Sequence, residues 1–227
     1  FCTMRTIPAD KLNLEIKGFG ALQLPLTEKN AKALIHLAKP AQFGWREKTL
    51  LDKSVRNAWE ISRDRIKIDT TLWDEALTST LDLLKTDLGL SEHAVLKSVL
   101  HNLLIYDKGQ FFNAHQDSEK LDGMVASLIV VLPSAHRGGR LIVNHHREKK
   151  EFRSERFSQD KLSCIAFYAD CHHEVKAVTV GYRVTLTYHL VLETNDKKSQ
   201  KMPVSAKTQQ EENLIRHLQA YFADQNS

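Results

Sequence analysis

About eight β-branched or alternating segments follow Ser91, two amphipathic helical segments precede it, and turn residues punctuate the strands at short intervals. Together these predict an α+β chain: a mostly antiparallel double-sheet jelly roll or barrel braced by N-terminal helices. Residues 11–26 place Leu12, Leu14 and Ile16, then Leu22 and Leu24, in alternation around Gly18-Phe19-Gly20, the pattern of a hairpin whose glycines permit the reversal. Thr27 caps a helix running to about residue 38, with Ala31, Leu34, Ile35 and Ala38 on one stripe and Pro40 beyond its end. Residues 41–69 read as loop and short strand, with Trp45, Val55, Trp59 and Ile61 in a charged background. A second helix begins near Thr70, spaces Leu77, Leu81, Leu84 and Leu88 helically, and stops at Gly89.

The β texture then takes over at residues 95–106, 124–132, 140–143, 164–168 and 183–190, with further strands expected near 111–115, 151–157 and 174–177. Two facing sheets of this kind leave a cavity between them. The polar stretch 193–207 reads as a linker. Thr208 with Glu211 forms a capping box for an amphipathic C-terminal helix over 208–227, carrying Leu214, Leu218, Tyr221 and Phe222. The expected organisation is therefore residues 1–90 packed on a β module at 91–192, then linker and helix.

The 227 residues are 42% hydrophobic and 26% charged, enough apolar material for a core and far from a disordered composition. No apolar run approaches the roughly 20 residues of a spanning helix, so a soluble protein is expected. The formal charge of +4, from 32 basic and 28 acidic residues, is too small to imply a polyanion partner. Cys2, Cys164 and Cys171 are odd in number and form no CxxC pair, which points to a reducing, intracellular setting, cytoplasmic or nuclear. The chain opens on Phe1 without a basic-then-apolar leader pattern, so a fragment of a larger protein is one reading of it.

Eleven histidines invite sorting. On a strand, residues two apart face the same way, so His115 and Asp117 in Phe111-Phe112-Asn113-Ala114-His115-Gln116-Asp117 converge on one point. Alone, the triplet reads as a surface turn after a strand. Cys171-His172-His173-Glu174-Val175 lies past further strands and can return to the same pocket. Two imidazoles and a carboxylate on one face of an ion form the arrangement of non-haem Fe(II) sites, with open positions for substrate and oxygen. Of the two adjacent histidines, His173 is favoured because Val175 and Ala177 continue its face. Val178-Thr179-Val180-Gly181 reads as a turn, and the next strand places Arg183, Thr185, Thr187 and His189 on one polar face. A buried guanidinium needs an anion, either an internal Asp or Glu or a carboxylate-bearing cosubstrate held bidentately by Arg183, with Thr187 further along the same face.

These elements in order resemble the prolyl 4-hydroxylase-like Fe(II) and 2-oxoglutarate-dependent dioxygenases. The likeness runs over about residues 96–190: Leu103-Leu104-Ile105-Tyr106-Asp107-Lys108-Gly109, Phe111-Phe112-x-x-His115-x-Asp117-Ser118-Glu119-Lys120, Gly138-Gly139-x-Leu141, His173-Glu174-Val175 and Gly181-Tyr182-Arg183-x-x-Leu186-Thr187-Tyr188. The resemblance implies His115, Asp117 and His173 as iron ligands, Arg183 as anchor of the 2-oxoglutarate C5 carboxylate, Tyr106 as a wall of the cosubstrate pocket and Thr187 as a hydroxyl near that carboxylate. It implies a double-stranded β-helix core (jelly roll, cupin-like) within the α+β chain, and Fe(II), 2-oxoglutarate and O2, with ascorbate as a reductant. Arginine at position 183 sets the chain apart from the collagen-modifying branch, which looks different in using lysine there. Val131 stands where relatives of the oxygen-sensing type place a second tyrosine.

Nucleic-acid repair demethylases of the superfamily carry a second arginine six residues after the first; here His189 stands there, which argues against a nucleic-acid substrate. Halogenases replace the iron carboxylate by a small residue, whereas Asp117 is present. His145-His146, beside His136, are expected at an exposed hairpin tip, and His36, His93, His101 and His217 as structural or surface residues. The basic segment 147–161 reads as solvated hairpin arms or as a lip recruiting an acidic protein. The expected function is hydroxylation of a protein side chain, prolyl first. A small-molecule or free amino-acid hydroxylase and a noncatalytic interaction domain with a decayed site are the alternatives.

Overall fold

The protein is described here from a computed structural model, which describes residues 1–45, 48–91, 93–117, 121–156 and 159–193. The linker and C-terminal helix expected over 193–207 and 208–227 lie outside the described residues, apart from Glu193.

The N-terminal part follows the sequence pattern closely. Strand β1 (Cys2–Pro8) precedes the hairpin of β2 (Leu14–Ile16) and β3 (Gly20–Leu22). Helix α1 (Glu28–Leu37) starts where the Thr27 hydroxyl accepts from the Asn30 N–H. Residues 39–68 supply short strands: β4 (Lys39–Pro40), β5 (Phe43–Trp45), β6 (Lys48–Leu50), β7 (Arg56–Asn57), β8 (Trp59–Ser62) and β9 (Ile66–Ile68). Helix α2 (Thr70–Asp87) is capped by the Asp69 carboxylate, which accepts from the Thr71 N–H.

The β module continues with β10 (Val95–Tyr106), β11 (Phe111–His115), β12 (Met124–Val131), β13 (His136–Gly138), β14 (Leu141–His145) and β15 (Glu148–Phe152). It closes with β16 (Lys161–Tyr168), β17 (His172–Val175), β18 (Val178–Gly181) and β19 (Arg183–Glu193). These form a major sheet, ordered β1-β16-β12-β19-β10-β8-β4, and a minor sheet, β15-β14-β17-β11-β7. The first 90 residues therefore do more than brace the core: β1, β4 and β8 extend the major sheet and β7 the minor one.

Alternation divides each major strand between two environments. Leu103 and Ile105 of β10 and Val184 and Leu186 of β19 pack outward with Leu34 of α1 and Trp73, Leu77, Leu81 and Leu84 of α2. Leu104 and Tyr106 face inward, joining Phe112, Leu141, Val143 and Val175 from the minor sheet in a second cluster. The two layers thus form the expected jelly roll, with helices on the outer face of one sheet.

Three local expectations need correction. Residues 178–181, expected as a turn, form β18 and pair with β13. The strand expected at 151–157 runs instead from Glu148 to Phe152, because the hairpin turns on His146 and Arg147 with His146 at φ 51°. His136 is buried rather than at that hairpin tip, its Nδ1 2.9 Å from the Ser134 carbonyl and its Nε2 2.8 Å from the Ser154 hydroxyl.

Candidate active site

A cavity of about 320 Å³ is lined by both sheets. Tyr106, Phe112, His115, Asp117, His173 and Arg183 line it, so the residues singled out from sequence meet in one place.

Strand pairing brings the histidines together. β11 and β17 are antiparallel, and His115 stands opposite His173, with ring centroids 4.1 Å apart. His115 Nδ1 is 2.8 Å from the Asn113 carbonyl and His173 Nδ1 is 3.3 Å from the Cys171 carbonyl. A carbonyl only accepts, so each Nδ1 carries the proton and each Nε2 keeps its lone pair. Both Nε2 atoms lie 3.8 Å from Asp117 Oδ1, too far for a hydrogen bond. Donors sharing an octahedral ion at about 2.1 Å stand about 3 Å apart, so closing by less than about 1 Å would seat one.

The ionisation states agree. Burial, with the neighbouring His173, pushes the His115 imidazole down to about 3, and burial lowers His173 as well. Burial would raise the Asp117 carboxyl, but His173, the Ser127 hydroxyl and His115 outweigh it and hold the carboxyl below its ordinary value. Two neutral imidazoles and one carboxylate at neutral pH are the forms that bind a metal. Ser127 of β12 donates to Asp117 Oδ2, leaving Oδ1 for the histidines. Sequence reasoning missed this serine; its one signal is a polar residue inside the apolar run 124–132.

Arg183 is 1% exposed, and burial lowers its pKa while Tyr106 opposes the shift. Its guanidinium lies over the Tyr106 ring, 5.6 Å from the centroid, and its Nε has no hydrogen-bond partner among the described residues. The ion pair with an internal Asp or Glu that sequence alone allowed does not form among the described residues. Beside it, the Thr185 hydroxyl is equally buried and unpartnered. The Thr187 hydroxyl, by contrast, donates to the Asn102 amide oxygen. An arginine and a threonine left open on one cavity wall form a cradle for a carboxylate.

Two further residues reach the cavity. A bulge in β10 between Leu100 and Asn102 puts His101 and Asn102 on the same side of the strand, so His101 lines the cavity beside His189, ring centroids 4.6 Å apart. Sequence reasoning left His101 as structural, since nothing in the run announces a bulge. His189, further along the same face of β19 as Arg183, lines the cavity as well.

Residues 101–191 match the family model of the 2OG-Fe(II) oxygenase superfamily, whose members use Fe(II), 2-oxoglutarate and O2. Among solved structures, the chain is similar to a Trichoplax adhaerens prolyl hydroxylase in complex with a hypoxia inducible factor oxygen degradation domain peptide fragment. That match has 12% identity, a TM-score of 0.50 and coverage of 88% of this chain and 87% of that one. A Pseudomonas putida prolyl-4-hydroxylase matches at 17% identity and TM-score 0.48, covering 84% of this chain and 92% of that one. No curated protein matches the sequence.

Proposed function

We propose that the protein is a working 2OG-Fe(II) oxygenase that hydroxylates a protein or peptide side chain, prolyl first, a reading supported by the match of residues 101–191 to that superfamily's model. The observation that carries the reading is the convergence of His115 Nε2 and His173 Nε2 on Asp117 Oδ1 in a cavity that also holds the unpartnered Nε of Arg183.

In this reading His115, Asp117 and His173 hold Fe(II), and Arg183 with Thr185 receives the distal carboxylate of 2-oxoglutarate. Bound together, these groups supply the oxidation: 2-oxoglutarate and O2 become succinate and CO2 as one oxygen atom enters a substrate C–H bond. The chain's own residues do the positioning. The Asn113 and Cys171 carbonyls hold each imidazole in the tautomer with Nε2 free, and Ser127 turns Asp117 toward them. Tyr106 packs against the guanidinium of Arg183 and fixes where the cosubstrate enters. Phe112, stacked on His115 at 3.5 Å between centroids, and Phe167, 4.5 Å from His173, keep water from the ligand pair.

Support for a peptide substrate comes from the fold shared with the Trichoplax enzyme. The thiol state of all three cysteines supports an intracellular setting. The reading is tested by anaerobic titration of the metal-free protein with Fe(II) and then 2-oxoglutarate. One equivalent of each is expected to bind, the second only after the first; failure of either to bind would remove the enzyme reading and favour an interaction domain.

A further inference from the structure

Resting on that reading, we propose that Arg56 is the binding group for a carboxylate carried by the substrate to be oxidised, separate from the cosubstrate carboxylate assigned to Arg183. Arg56 sits on β7 opposite Phe112 of β11, and its guanidinium carbon lies 4.5 Å from the centre of the Phe112 ring, the same ring that stacks on His115. The side chain is 8% exposed and lines the cavity. Its Nη1 donates to the Gln42 carbonyl, while its buried Nε has no hydrogen-bond partner among the described residues.

Among the described residues, Asp117 and Glu60 are the carboxylates that line the same cavity, and neither forms an ion pair with Arg56. A buried cation that keeps its charge without a carboxylate is costly. The Nε edge of a guanidinium is one side of the fork that grips a carboxylate through two N–H bonds, and here the aromatic face of Phe112 fixes the plane of that fork. The cavity thus offers two buried arginines: Arg183 on the major sheet beside Thr185, and Arg56 on the minor sheet against the ring that touches an iron ligand. An anion seated on Arg56 would tether a substrate from the histidine side of the metal. This narrows the substrate to one with a carboxylate near the reacting carbon.

The test is calorimetry on protein saturated with Mn(II) and 2-oxoglutarate, so that the Arg183 site is occupied. Acetate is titrated against acetamide, a neutral carbonyl of the same size. Acetate is expected to bind at least about tenfold more tightly than acetamide. Arg56→Gln is expected to lose that preference while its retained 2-oxoglutarate affinity reports an intact fold. Equal binding of acetate and acetamide to the unaltered protein, or no binding of either, would overturn the proposal whether or not the variant folds, and so would a preference that survives in Arg56→Gln. If 2-oxoglutarate itself fails to bind, the enzyme reading falls, and the same pair titrated into Arg183→Gln then decides on Arg56 alone. N-acetylproline and a blocked Pro-Glu dipeptide separate the source: tighter binding than acetate by the first assigns a terminal carboxylate, by the second an acidic side chain. Neither binding more tightly than acetate would contradict a substrate role.

Discussion

The Ser127 hydroxyl donates to Asp117 Oδ2, so one carboxylate oxygen is fixed by the protein while the other lies 3.8 Å from both His115 Nε2 and His173 Nε2. One strand of the major sheet, β12, and two of the minor sheet, β11 and β17, thereby meet at a single carboxylate. Partners of this kind typically contribute 10–100-fold to metal affinity. Ser127→Ala is therefore expected to weaken Mn(II) binding by about 10–100-fold with the fold intact by circular dichroism. Unchanged affinity would mean that Ser127 does not orient the ligand.

If Arg183 anchors the cosubstrate as proposed, its loss separates cosubstrate binding from metal binding. A hydrogen bond to a charged group contributes about 1.5–3 kcal/mol, so Arg183→Met is expected to raise the Kd for 2-oxoglutarate by about 10–100-fold or more while leaving Mn(II) affinity in place. Arg183→Lys keeps the charge and loses the planar fork, and should fall between the two. Parallel calorimetry of metal and 2-oxoglutarate checks this; equal losses in both would make Arg183 a structural residue.

Gly139 is packed against that arginine. A Cβ at this position would stand 2.8 Å from Arg183 Cδ and 3.0 Å from Val178 Cγ2, at a φ of +66°. At Gly138 a Cβ would instead meet the Ala177 carbonyl oxygen at 2.5 Å. Both alanine variants should lose about 1–3 kcal/mol of stability from the strained backbone. Gly139→Ala should in addition raise the KM for 2-oxoglutarate, since it displaces Arg183, whereas Gly138→Ala should not. Stability by denaturant melts, paired with KM, distinguishes them.

Burial lowers the imidazole pKa of His136, and likewise of His115 and His173. A histidine whose folded pKa lies below its ordinary 6.5 is protonated more readily in the unfolded chain. Its contribution is intact above pH 6.5 and is lost as pH falls toward the folded value. Each such group costs up to about 1.4 kcal/mol per pH unit across that window. The metal-free protein should accordingly be flat in stability above about pH 7 and lose stability below it, and His136→Asn should make the decline shallower. Identical slopes in denaturant melts between pH 7 and 5 would contradict the assignment.

The parts of the site that were legible in the sequence are those fixed by local geometry. His115 and Asp117 share a short segment, His173 is followed by strand-like alternation, and Arg183 heads a strand whose polar face is continuous; the structure brings all four to one cavity. What was not legible depends on partners distant in sequence. Alternation puts Thr185 and Thr187 on the same face and cannot choose between them; the Asn102 amide, from a neighbouring strand, occupies Thr187 and leaves Thr185 open. Arg56 lies in a charged stretch, and its burial follows from pairing with Phe112 more than fifty positions away. His101 enters the cavity through a bulge, which reverses the inward and outward sense of β10 at one residue. His136 is held inside by Ser154, across a turn that composition placed at the surface.

The fold was read more fully than its edges. Both N-terminal helices and the hairpin of β2 and β3 stand where capping, glycine and periodic leucines put them. Short strands such as β4 and β7, of two residues each, owe their existence to neighbours already in the sheets and leave no periodicity of their own.

The central claim is that His115, Asp117 and His173 hold an iron that oxidises in concert with 2-oxoglutarate. Its most direct measurement is succinate formed from 2-oxoglutarate under air with Fe(II) and ascorbate, in the unaltered protein and in Asp117→Ala. The account requires iron-dependent succinate from the first and none above background from the second. No iron-dependent succinate from the unaltered protein, or undiminished succinate from Asp117→Ala, would contradict it.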